Sequence, residues 1–172
     1  MPSQKNPFFT NIIYKDHNTD AEYIQGFDPG TEWHEYEIVW KPTYVAWSVD
    51  GVEVRRRTNT ESVKDLNKSS LLYMSFWSPE WDDWGSGFNA KTMPWFARYE
   101  YIEAYDWDKA TDTFSLRFRD DFDWLNHNIW RVSDKHYFNE NSSYFVEEHT
   151  YVEDGKLVFK MDNHKNDMMP NP

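Results

Sequence analysis

Residues 35–55 read EYEIVWKPTYVAWSVDGVEVR. Three runs rich in β-branched and aromatic residues, Glu35–Trp40, Val45–Val49 and Val52–Arg55, are separated by Lys41-Pro42-Thr43-Tyr44 and by Asp50-Gly51. An Asp-Gly pair between two such runs is the signal of a type I′ turn, because both central residues must take positive φ. The stretch therefore predicts three antiparallel strands joined by tight turns. Side chains alternate along a strand, so Tyr36, Ile38 and Trp40 share one face and Glu35 and Glu37 the other.

The same reading extends in both directions. A second hairpin is expected where Phe145–Val152 and Lys156–Met161 flank Glu153-Asp154-Gly155, and strand character runs through Leu71–Trp77, Trp95–Tyr105 and Phe114–Phe118. Helical spacing is nearly absent. Many short strands and few helices predict an all-β sandwich or jelly roll. The polar stretch 106–113 reads as a loop inside one domain, since neither flank is long enough to be a domain alone. The tail 162–172 shows no periodicity and is expected to be flexible.

Composition removes several classes of function. The 172 residues hold 18 Lys+Arg against 30 Asp+Glu, a formal charge of -12, which argues against a nucleic-acid partner because phosphate binding rests on Lys and Arg. A mean hydropathy of -0.92 with no apolar run near the ~20 residues of a bilayer span argues against a membrane protein. The N-terminal residues lack the apolar core of a secretory signal. Without Cys there are no disulfides, thiolate metal sites or Cys nucleophiles. The 10 Trp, 11 Tyr and 12 Phe are more than an acidic disordered chain carries, and more than a core of this size needs.

An aromatic ring offers a flat apolar face to the axial C–H bonds of a pyranose, with acidic and amide side chains beside it for the hydroxyls. The loop from Trp77 to Asn89 has that composition, with Trp81 and Trp84 also within it. The competing reading buries these indoles as plugs of the sandwich. Glu35 and Glu37, two apart on one face, are a candidate carboxylate pair for glycoside hydrolysis, but solvent exposure explains them more simply. Asp82-Asp83, Asp120-Asp121 and Glu147-Glu148 read as solvated charges. His34 reads as a hydrogen-bonded structural His, and His127 and His136 lack partners at a zinc-ligand spacing.

WHEYEIVWKPTYVAWSVDG (33–51) resembles the "His-x-Tyr-x-x-x-Trp-x-Pro-x-Tyr-x-x-Trp-x-Val-Asp-Gly" segment of family 16 glycoside hydrolases, the lichenase or 1,3-1,4-β-glucanase group. FWSPEWDDWGSGFNAKTMPWFARYEYIEAY (76–105) resembles that family's last strands. The remainder of the chain is out of the usual order: FSLRFRDDFDWLNHNIWRVSD (114–134) resembles the family's opening segment, and VEDGKLVFKM (152–161) its early "Asp-Gly-x-Leu-x-Leu" strand. The resemblance implies a concanavalin A-like jelly roll in circular permutation, incomplete at its N-terminus. Residues 1–105 would be the family's C-terminal part, 106–113 the join, and 114–161 its N-terminal part. Permutation costs little when natural termini lie close together.

The family's chemistry lies on a strand carrying Glu-x-Asp-x-x-Glu, and no such motif occurs here. In permuted order that strand would precede Lys5-Asn6-Pro7, so one N-terminal truncation would account for the absence. No catalytic residue is therefore assigned. The resemblance implies that Asn11, His34, Ser75, Trp77, Trp84, Phe138, Asn139 and Asn141 line a glucan cleft, Ser75 standing where lichenases commonly have Asn. It places Glu100 near a structural calcium site, and it implies an extracellular protein with a β-glucan as partner. An incomplete jelly roll is expected to be marginal, to dimerise, or to need the missing segment in trans. The alternative is a β-glucan-binding module or pseudoenzyme.

Overall fold

The computed structural model of the chain describes residues 8–14, 18, 19, 22–24, 30, 32–78, 90–137 and 142–163. It is all-β, and every ladder among those residues is antiparallel, as the jelly-roll class requires. Contacts divide the chain into two compact units, Met1–Leu71 and Leu72–Pro172.

The first unit opens with four short strands, β1 (Phe8–Thr10), β2 (Ile13–Tyr14), β3 (Asn18–Thr19) and β4 (Glu22–Ile24), with β1 paired to β4 and β2 to β3. The three expected strands come next as β5 (Tyr36–Lys41), β6 (Tyr44–Val49) and β7 (Val52–Thr58), in the sheet order β5-β6-β7. Asp50 and Gly51 take φ of +52° and +74°, the positive values that a type I′ turn demands. The register shifts between Trp47, opposite Arg55, and Ser48, opposite Glu53, which makes Val54 the extra residue of a bulge. Val54 and Leu66 pack against the buried cluster of Ile12, Val45, Trp47 and Val63. Arg55 is buried beside it, its Nη1 donating to Thr10 Oγ1 (3.0 Å) and Thr10 O (3.3 Å) and its guanidinium lying 4.9 Å from the Trp47 ring centre. One short helix, α1 (Glu61–Asp65), comes after β7. The Thr60 side chain caps it by accepting from Val63 N at 3.3 Å, and Val63 anchors it in the core.

The second unit contains β8 (Trp95–Tyr99), β9 (Ile102–Asp108), β10 (Thr113–Asp120), β11 (His136–Tyr137), β12 (Tyr144–Phe145), β13 (Thr150–Glu153) and β14 (Lys156–Met161). Its ladders are β13-β14-β8, β9-β10 and β11-β12. Leu157, Val158 and Met161 are buried on β14, and Tyr99 meets Phe159 edge to face at 5.6 Å. After β10 the chain turns sharply at Phe122, which is fully buried at φ +53°. Asp120 fixes that turn: Oδ1 accepts from Phe122 N (2.9 Å) and Oδ2 from Trp130 Nε1 (2.7 Å), while the Trp130 ring packs on Phe118 and Phe122.

Several expectations are corrected by these ladders. Leu71–Trp77 is not a strand, and it exposes Leu71, Leu72 and Tyr73. Trp95–Tyr105 is two strands that break at Glu100-Tyr101, so that β8 pairs with β14 and β9 with β10. Phe145–Val152 is interrupted by a 3-10 turn at Glu147–His149, where three polar residues stop the apolar alternation. The join 106–113 is shorter than a loop of that span, because Asp106–Asp108 and Thr113 are paired strand residues and only 109–112 turns. In the tail, Asp162 is anchored by Lys160 and lies 3.6 Å from His149 Nε2; residues 164–172 lie outside the described residues. Asp120 is a structural acceptor and Asp121 an ion-pair partner of Arg119, so neither is simply a solvated charge.

Candidate functional site

In the first unit the hairpin register brings His34 to Asp50. Counting back from Lys41 opposite Tyr44, through Tyr36 opposite Val49, places Glu35 beside Asp50. There Asp50 N donates to Glu35 O (2.9 Å), Asp50 Oδ1 accepts from Glu35 N (2.9 Å), and Asp50 Oδ2 lies 2.8 Å from His34 Nδ1. The hydrogen bond from His34, then that from the Glu35 N–H, holds the Asp50 carboxyl below the ordinary carboxylate range against a small opposing desolvation. His34 is thus hydrogen-bonded, as expected, and Tyr36 stands edge-on to its ring at 6.3 Å. Asn11 is half-buried between Thr10 and Ile12, which are fixed by Arg55 and the core cluster.

In the second unit Ser75 is exposed and Trp77 half-buried. The residue after Trp77 is clamped: Ser142 N and Ser142 Oγ both donate to Ser78 O at 2.9 Å, and Ser78 N donates to Ser143 Oγ at 3.0 Å. This latch joins the Trp77 segment to the one that begins after Asn141. Trp84, Phe138, Asn139 and Asn141 themselves lie outside the described residues, as do Asp82 and Asp83. The latch and Asp50 were both missed from sequence. Serines carry no spacing signal, and the hairpin register sets Asp50 opposite Glu35 without directing its side chain to His34.

Glu35 and Glu37 are exposed, as expected, yet so are Tyr36, Ile38 and Trp40 on the opposite face of β5. Glu100 lies 3.9 Å from Lys156 Nζ, and the described residues contain no group of three or more His, Asp or Glu side chains placed to hold a metal. A calcium ion needs six to eight oxygen ligands, and one carboxylate facing an ammonium does not fit it. On the β9-β10 hairpin, Glu103 accepts from Tyr105 Oη (2.6 Å) and pairs with Arg119, which also pairs with Asp121. This network is partly solvent-exposed and screened, which makes it structural support rather than a reactive centre.

Comparison with known proteins decides the family. Residues 3–100, more than half of the chain, match glycosyl hydrolases family 16. The chain belongs to this family. Among curated relatives, a "Beta-glucanase" of Fibrobacter succinogenes is 29% identical over 167 residues, covering 91% of this chain and 47% of that protein. "Xyloglucan endotransglucosylase/hydrolase protein 22" of Arabidopsis thaliana is 36% identical over 102 residues, 57% of this chain and 31% of that protein. A "Beta-glucanase" of Acetivibrio thermocellus is 32% identical over 95 residues, 54% of this chain and 27% of that protein. The chain spans about half the length of the first of these relatives and about a third or less of the other two.

Proposed function

We propose that this family 16 chain forms part of the glucan cleft of a β-glucanase that cleaves mixed-linkage 1,3-1,4-β-glucan by endo attack with retention. The observation that carries the reading is the reach of the Fibrobacter match, 91% of the chain in one alignment, whereas the family match ends at residue 100. A shared permuted order, with the opening segments placed after the closing ones, would produce that difference. Retaining hydrolysis needs a nucleophile and an acid/base roughly 5–5.5 Å apart, and water, but no cofactor. The 172 residues contain no Glu-x-Asp-x-x-Glu. In this reading they hold the polymer through Asn11, His34, Ser75, Trp77, Trp84, Phe138, Asn139 and Asn141, and a strand that they do not include supplies the carboxylates. A polymer of this size places the activity outside the cell. The missing motif equally favours a second reading, a β-glucan-binding module that does not cleave.

Electrophoresis of the full chain in native gels containing mixed-linkage glucan, xyloglucan or no polysaccharide tests binding. Retardation is expected in the mixed-linkage gel, with Trp77→Ala and Trp84→Ala each weakening it about tenfold, the ~1.4 kcal/mol of a lost stacking platform. Retardation by xyloglucan alone would overturn the substrate, and none in either gel would overturn both readings. Reducing ends released from barley β-glucan by this chain would show that its own residues suffice for cleavage.

A further inference from the structure

The core of the first unit stops at β6. Residues directly opposite one another in a ladder share a face, so Tyr36, Ile38 and Trp40 stand on the face of Val49, Trp47 and Val45. Those three partners on β6 are 3–6% exposed, whereas Tyr36, Ile38 and Trp40 are 46%, 67% and 39% exposed. Among the described residues β5 forms a ladder with β6 alone, which makes it an edge strand. Asp50 N donates to Glu35 O, so Glu35 turns its main chain toward β6. Backbone groups alternate along an antiparallel strand, so Glu37 and Val39 do the same, and Ile38 and Trp40, with Tyr36, direct N–H and C=O to the outer edge. An apolar row beside an outward set of main-chain groups is a template for a further strand.

We infer that two copies of this chain associate through β5, which pairs with itself in antiparallel order about Ile38. Ile38 then faces the partner's Ile38, and Tyr36 faces the partner's Trp40. These are the outward-bonding positions, so each pair exchanges both N–H···O bonds. The sheet β5-β6-β7 continues across a two-fold axis into its copy, and the apolar rows meet on one face. Charge and backbone chemistry select this register. The chain carries a formal charge of -12, and like charges directly opposite one another oppose pairing. Centred on Ile38, the pairing sets Glu37 against the partner's Val39 and Glu35 against the partner's Lys41. Sliding by two residues one way sets Glu37 against the partner's Glu37. Sliding the other way sets Tyr36 against the partner's Pro42, which has no N–H. The association involves no ligand and is independent of the glucan reading.

Disulfide trapping in the full chain tests the register, because the sequence has no Cys and one substitution supplies the only thiol. Residues opposite one another in a bonded pair have Cα atoms about 5.5 Å apart, within the span of a disulfide. Ile38→Cys is expected to give a covalent dimer with oxidised glutathione. In Val39→Cys the two thiols are offset by about 7 Å along the strands as well as by the strand spacing, and no covalent dimer is expected. Sedimentation velocity supplies a second readout, in which wild-type mass should rise with concentration toward a dimer. Ile38→Pro removes an outward N–H and no bond to β6, and should raise the dissociation constant about tenfold beyond Ile38→Ala. A wild type that stays monomeric, an Ile38→Cys that gives no covalent dimer, a Val39→Cys that links as readily, or an Ile38→Pro that dimerises as well as Ile38→Ala would each overturn the inference. Should Ile38→Pro fail to fold, the two cysteine variants decide alone.

Discussion

Gly51 and Gly155 hold φ of +74° and +65°, and no atom lies within 4 Å of where a Cβ would stand on either. An added methyl group is therefore opposed by backbone strain alone, and Gly51→Ala is expected to cost about 1 kcal/mol in urea unfolding. Charge effects at single residues have a definite sign. Asp50, through His34 first, Glu53 through Arg56, Glu103 through Tyr105 and then Arg119, and Asp121 through Arg119 all have folded pKa values below their ordinary ones. Each contributes stability that is present above the unfolded value near about pH 4 and lost as pH falls through the folded one. The urea midpoint should therefore drop between pH 5 and 2.5, and by less in Asp50→Asn. Lys160, raised by Asp162, works the other way, its contribution fading as pH rises through its folded value. These residues illustrate what was legible in advance. Asp-Gly at 50–51 announced its turn, because only local sterics were involved. The bond from Asp50 to His34 needed the register of two strands.

At the level of elements, two clusters hold the ladders in place. Trp47 on β6 is 5% exposed and packs with Ile12, Val45 and Val63 under the Arg55 guanidinium. Truncating it to Ala should destabilise by about 3–5 kcal/mol, from lost burial and the cavity left behind. Asp120 satisfies both the Phe122 N–H and the Trp130 Nε1–H at the end of β10. Asp120→Ala leaves two donors short and should cost about 1–3 kcal/mol, seen as a lower urea midpoint with a changed Trp emission. The strand pattern of β5, β6 and β7 was readable from alternation, and both Asp-Gly turns stand where expected. Where one apolar run serves two partners, as at Trp95–Tyr105, the run reads as a single strand and conceals the break; at Phe145–Val152 the break falls at the polar Glu147–His149. The break is decided by which neighbour each half bonds to.

At the scale of the whole molecule, apolar residues remain in solvent on both units. Tyr36, Ile38 and Trp40 on β5 are 39–67% exposed, and Tyr105, Phe114 and Leu116 on β9 and β10 are 42–54% exposed. Cross-strand pairing puts Tyr105 opposite Leu116, and Phe114 opposite Trp107, on one face of their hairpin. Patches of this kind favour association. Sedimentation velocity is expected to show mass rising with concentration, and Ile38→Lys with Leu116→Lys to suppress the rise; a cooperative melt of a strictly monomeric chain would contradict it. The sequence by itself determined the all-β class, the tight turns and the family, because alternation, turn sterics and motif order are written along the chain. Only the tertiary structure decided that Asp50 addresses His34, that Ser142 and Ser143 clamp the Trp77 segment, and which apolar faces are covered. Those depend on contacts between residues far apart in sequence, where no local preference reports the partner.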